Sequence, residues 1–84
     1  MTELLTGLKY WLDEEKANPN QLCRNDQELL DAVTIELGIL RGKVLSELDN
    51  EEVFQQYKVL QIALVKLLTY RVNKYAKLKE GLKA

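Results

Sequence analysis

The 84-residue chain contains no histidine, and only one each of cysteine (Cys23), proline (Pro19), serine (Ser46) and tryptophan (Trp11). Without histidine, the usual general base near neutral pH and the commonest metal ligand are both missing. One cysteine and one serine supply no nucleophile–base pair, and a lone cysteine closes no disulfide within the chain. Gly7, Gly38, Gly42 and Gly81 are isolated from one another, so no glycine-rich loop is present to cradle a phosphate. Long apolar runs are absent as well. The longest, Ile62-Ala63-Leu64-Val65, is closed by Lys66, whereas a membrane span needs roughly 20 apolar residues. Glu3 stands where a secretory leader would carry basic residues. These absences predict a non-enzymatic, intracellular (cytoplasmic) protein with no metal, no cofactor and no membrane insertion.

What is present is the composition of a folded chain. Hydrophobic residues make up 46% and charged residues 30%, a globular balance and not a disordered one. The length predicts a single domain over residues 1–84 with a thin core. Few glycines and one proline favour long helices over many turns. Charge is divided unevenly along the chain. Residues 1–52 hold 12 acids and 5 bases, net −7, while residues 53–84 hold 7 bases and 1 acid, net +6. The halves therefore either attract each other or present opposite charge to partners.

Periodicity predicts three helices, over about 3–17, 26–47 and 50–79. In the first, Leu4, Leu5, Leu8, Trp11 and Leu12 share a face, Thr2 is placed to cap, and Asn18-Pro19-Asn20 ends the helix because proline lacks the N–H and restricts its predecessor. Tyr10, beside Trp11, is expected to be exposed. Leu22 and Cys23 are the apolar residues of the connector and are expected to tuck under it. Asn25 with Glu28 three residues later has the form of a capping box. Leu30, Val33, Leu37, Leu40 and Val44 then step by three and four along the second helix. Gly38 and Gly42 interrupt it, either as a place for close helix approach or as a tolerated irregularity. Asp49 is placed to cap the third helix, whose buried side reads as Phe54, Tyr57, Leu60, Leu64, Leu67, Leu68, Val72 and Tyr75. The fold expected is an all-α, three-helix antiparallel bundle with a long C-terminal helix. That helix would reach roughly 40 Å at about 1.5 Å per residue and outrun its neighbours. Ile62, Val65 and Leu68 fall beyond a single face and need a second cover, which predicts self-association or a permanent protein partner.

The densest functional signal is the basic end. Lys66, Arg71, Lys74, Lys77, Lys79 and Lys83 surround Tyr70 and Tyr75. Arg71, Lys74 and Lys77 are spaced by three and are predicted to form a partner-binding stripe for an acidic protein surface. The other reading is that cations suit a helix C-terminus and pair with the acidic half. A net charge of −1 disfavours nucleic acid as the partner. Asp13-Glu14-Glu15 point in different directions around a helix and read as solvated surface. The all-helical chorismate mutases need several Arg and Lys converging from a long first helix, and here that helix is short and offers Lys9 and Lys16.

The order of short helix, connector, middle helix and long helix resembles the helical A-domain of GINS replication complex subunits. Leu4–Lys16 is similar to that family's first helix with its acidic end, and Asp26–Val44 to its middle helix. Tyr70-Arg71-Val72-Asn73-Lys74-Tyr75 is similar to its terminal Arg-apolar-x-Lys-apolar pattern. The chain departs from the family at Glu28-Leu29-Leu30, where an aromatic pair is usual, and 84 residues leave no room for the β-rich B-domain. The resemblance implies a structural subunit of a DNA replication complex, its helices packed on sister subunits. Small helical inhibitors and immunity-type adaptors are the alternative of the same size and class.

Overall fold

The computed structural model describes residues 1–21 and 23–83, apart from the side chains of Leu82 and Lys83. Three helices make up the fold, with no strand among the described residues: α1 (Thr2–Ala17), α2 (Gln27–Ser46) and α3 (Glu51–Lys83). The all-α expectation holds, and the chain turns at residues 47–50 instead of running through them. Leu22 lies outside the described residues.

Both internal helix starts sit one residue later than the sequence reading placed them. Asp26, not Asn25, caps α2, its carboxylate accepting from the Leu29 N–H at 3.1 Å. Asn50, not Asp49, caps α3, its Oδ1 accepting from the Val53 N–H at 3.2 Å. Each start has two adjacent residues able to cap, so local chemistry alone does not choose between them. Met1 occupies the cap position of α1 without a side-chain bond, and Thr2 is already helical. The Asn18 side-chain amide donates to the Glu14 carbonyl at 2.9 Å and closes the end of α1.

The helices run up, down, up. Leu5 and Leu8 border Val59, Ile62 and Ala63, while Glu15, farther along α1, meets Arg71 and Lys74. Consequently α1 lies alongside α3 in the same direction, with α2 antiparallel to both. The core is Leu8, Trp11, Val33, Leu40, Leu60 and Leu67, with Leu4, Leu5, Leu12, Leu29, Leu30, Leu37, Tyr57 and Leu64 packed around it. The predicted faces of α1 and α2 are therefore the buried ones. On α3 the prediction needs correction: Phe54, Leu68, Val72 and Tyr75 are exposed. Helices α1 and α2 together cover an arc centred on Leu60 and Leu67, and those four side chains lie outside it.

The molecule measures 53 × 20 × 17 Å, and its 33-residue α3 accounts for that length at about 1.5 Å per residue. Past Lys74 the described side chains of α3 are exposed, apart from half-buried Leu78. Gly7 lies against Leu29, where an added Cβ would sit 3.0 Å from the leucine Cδ1, so α1 and α2 approach closely there. Gly38 and Gly42 have no such neighbour within 4 Å. Within this chain they mark no close approach. Replacing each by alanine is expected to raise stability by up to about 1 kcal/mol through helix propensity. A fall in the urea midpoint of either variant would show that the position is packed.

Candidate functional site

Two features lie outside the ordinary leucine core: an ion cluster where α1, the connector and α3 meet, and an uncovered apolar strip along α3.

The cluster is centred on Glu15, whose side chain has 0% exposure. Leu8, Trp11 and Glu15 follow one another by three and four residues and so share the buried face of α1. That spacing was the available signal. Reading Asp13-Glu14-Glu15 as one solvated acidic tract concealed it, and the structure corrects that reading for Glu15. Arg71 Nε donates to Glu15 Oε2 at 2.9 Å. Its other nitrogens donate to the Asn25 Oδ1 at 3.2 Å and the Cys23 carbonyl at 3.3 Å, and the guanidinium lies 4.8 Å from the centroid of the Trp11 ring. Lys74 Nζ donates to the Glu15 backbone carbonyl at 2.8 Å and lies 3.4 Å from Glu15 Oε1. The Cys23 N–H completes the arrangement with a 2.6 Å bond to Glu15 Oε1. One carboxylate thus ties the connector to both outer helices.

Burial opposes ionisation of Glu15. The Cys23 thiol and N–H, the Arg71 guanidinium and the Lys74 ammonium outweigh it and hold the carboxyl below its ordinary value of 4.5. The same hydrogen bond, together with burial and the nearby negative charge, pushes the Cys23 thiol above 9.0, which keeps it protonated and a weak nucleophile at neutral pH. Because the Glu15 pKa is depressed on folding, its contribution is fully present above the unfolded value and is lost as pH falls through the folded one. Urea midpoints are therefore expected to hold from neutral pH to about pH 5 and to drop at lower pH. In Glu15→Gln the drop should be shallower, and an unchanged acid limb would assign it to other carboxylates.

This geometry separates the three residues predicted to form one exposed basic stripe. Arg71 and Lys74 turn inward, and Lys74 is 6% exposed. A separation of three residues puts them on one helix face, and that face is the one directed at Glu15. Lys77 remains exposed. Lys66 and Lys79 are exposed too, whereas the side chain of Lys83 is outside the described set. Of the tyrosines, Tyr70 is half-buried with Lys16 Nζ 6.0 Å from its ring centroid, and exposed Tyr75 has Lys79 Nζ at 6.0 Å. Among the described residues no group of three His, Cys, Asp or Glu side chains is placed to hold a metal ion. No described helix is long and apolar enough to cross a membrane.

The second feature is the strip. Phe54 is 49% exposed, Ile62 43%, Val65 53%, Leu68 40%, Val72 66% and Tyr75 53%. With Gln61, Thr69 and Ala76 between them, the residues from Ile62 to Tyr75 make an apolar band along the exposed side of α3; Ile62 edges it next to α1, and Phe54 is set apart by exposed Lys58. From residue 59 to residue 76 no charged side chain interrupts it, because Lys66, Arg71 and Lys74 project elsewhere around the helix. Isolated exposed apolar residues are ordinary, but a continuous band is characteristic of an interaction face. Comparison of the chain with protein-family models, with curated proteins and with solved structures finds no match.

Proposed function

We propose that the protein is a non-enzymatic assembly subunit that binds a protein partner through the apolar strip of α3. The observation that carries this is the row of six large apolar side chains from Phe54 to Tyr75, each at least 40% exposed, on the helix that also supplies core residues Leu60 and Leu67. Such a band gains free energy by leaving water, at about 25 cal/mol per Å² of apolar surface. Lys77 and Lys79 lie near its end and supply charge for an acidic partner surface. Nucleic acid is the weaker candidate, since the two cations nearest the middle of the basic stretch, Arg71 and Lys74, are engaged by Glu15.

The resemblance to GINS A-domains supports one specific form of this function, a structural component of a DNA replication complex. A small helical inhibitor or immunity-type adaptor is the alternative. The test is capture from native extract with wild type and with Val65→Glu/Leu68→Glu, two exposed positions at the middle of the strip. Loss of the bound protein with unchanged helicity is the expected result. Equal recovery of every protein by both, copies of this chain included, would remove the strip as the binding face. The identity of the captured protein separates the replication reading from the inhibitor reading.

A further inference from the structure

We propose that the strip is occupied by a second copy of the chain, packed antiparallel along α3. This rests on the reading of the strip as a binding face and names its partner. Phe54, Lys58, Gln61, Val65, Leu68, Val72, Tyr75 and Lys79 follow one another in alternating steps of four and three. That is the seam of a coiled coil, with Lys58, Val65, Val72 and Lys79 as one set of layers and Phe54, Gln61, Leu68 and Tyr75 as the other. All eight are exposed in the single chain. The step of 3.5 residues keeps a partner helix in register along the whole seam, which an irregular patch would not.

Charge selects the orientation and the identity of that partner. At one end of the long axis, Glu47, Asp49, Glu51 and Glu52 are four exposed acids with no base among residues 47–57. At the other end stand exposed Lys77 and Lys79, with Glu80 the one acid of residues 53–84. A second copy running the same way would set acid end on acid end, Lys58 on Lys58 and Lys79 on Lys79. Running the opposite way, it sets acid end on basic end at both extremities. The seam then pairs by a dyad between residues 66 and 67. Val65 meets the second copy's Leu68, Gln61 meets Val72, Lys58 meets Tyr75 and Phe54 meets Lys79. Branched side chains fill the centre, and each seam lysine is placed over an aromatic ring, an attractive arrangement for an ammonium group. A two-fold axis makes the surface complementary to itself.

The experiment uses the whole chain. Sedimentation equilibrium at micromolar concentration is expected to give twice the chain mass of 9.7 kDa, with association weakening as salt rises. Val65→Glu/Leu68→Glu is expected to sediment as a monomer while keeping its helical circular dichroism. Orientation is read from paired spin labels in a Cys23→Ser background. Labels at Lys66 lie beside the dyad and should be about 20 Å apart, whereas labels at Glu80 should be displaced by about 40 Å along the axis, from the rise per residue. Short distances at both sites would mean a parallel dimer and overturn the proposal. So would a wild-type monomer, or a dimer that survives the double substitution. A wild-type monomer that still loses an extract protein on the double substitution would overturn the second copy as partner and leave the strip as a binding face. A monomer that loses none would overturn both.

Discussion

Replacing Glu15 by alanine is expected to cost about 3–5 kcal/mol, the range for removing one member of a buried ion pair. For 84 residues the whole stability is on the order of 4–12 kcal/mol, so the variant should lose about a quarter of it at the least and, at the low end, nearly all of it. The magnitude follows from what is left behind. Lys74, at 6% exposure, would keep the carbonyl of residue 15 as an acceptor but lose its only carboxylate partner among the described residues. The Cys23 N–H would lose its acceptor, and Arg71 its tightest contact. An unsatisfied buried charge is far more expensive than the absence of the pair. The double variant Glu15→Leu/Lys74→Met should therefore recover much of the loss. Urea unfolding followed by circular dichroism measures both. A cost under about 1 kcal/mol for Glu15→Ala, the value typical of exposed pairs, would show that the cluster is solvated in solution.

Leu67→Ala is the second large effect, expected to cost about 2–5 kcal/mol. Its neighbour provides the control. Leu67 is 0% exposed and Leu68 is 40% exposed, one residue apart on the same helix with the same side chain. Truncating Leu68 in the monomeric protein should cost less than about 1 kcal/mol. The comparison tests the rotation of α3 about its own axis independently of any binding assay. Equal costs would mean that the strip is covered in solution, by the chain itself or by a second copy. Repeating the measurement in the background of Val65→Glu separates those cases.

How much of this was legible in the sequence depends on which physical effect sets each feature. The buried faces of α1 and α2 follow from spacing, since Leu8 and Trp11 or Val33 and Leu40 sit where the helical period puts them. Helix ends were legible to within a residue except the last: α3 continues to Lys83, four residues past the expected 79. The choice between Asn25 and Asp26 depends on a tertiary contact, the bond from Arg71 to Asn25, which no local rule contains. The third helix was read too generously. A period of 3.6 shows that Phe54, Val72 and Tyr75 lie near one another, but which arc is covered depends on where α1 and α2 come to rest. Arg71 and Lys74 show the same limit from the polar side. Their spacing gave a shared face correctly, and the error was to send that face to solvent when a buried acid 56 and 59 residues earlier was waiting for it.

That long separation has a kinetic consequence. The turn between α2 and α3 is four residues, 47–50, so this hairpin closes at little entropic cost, whereas the Glu15 contacts require most of the chain to be gathered first. The expected order is the hairpin first, as the rate-limiting structure, with α1 swinging in afterwards as a latch. Mutations at Glu15 should then leave the refolding rate nearly unchanged and appear almost wholly as faster unfolding, with φ near zero, while Leu67→Ala slows refolding. In the folded population, the amides of α1 would exchange with solvent through opening of that latch, ahead of those in the middle of α2 and α3.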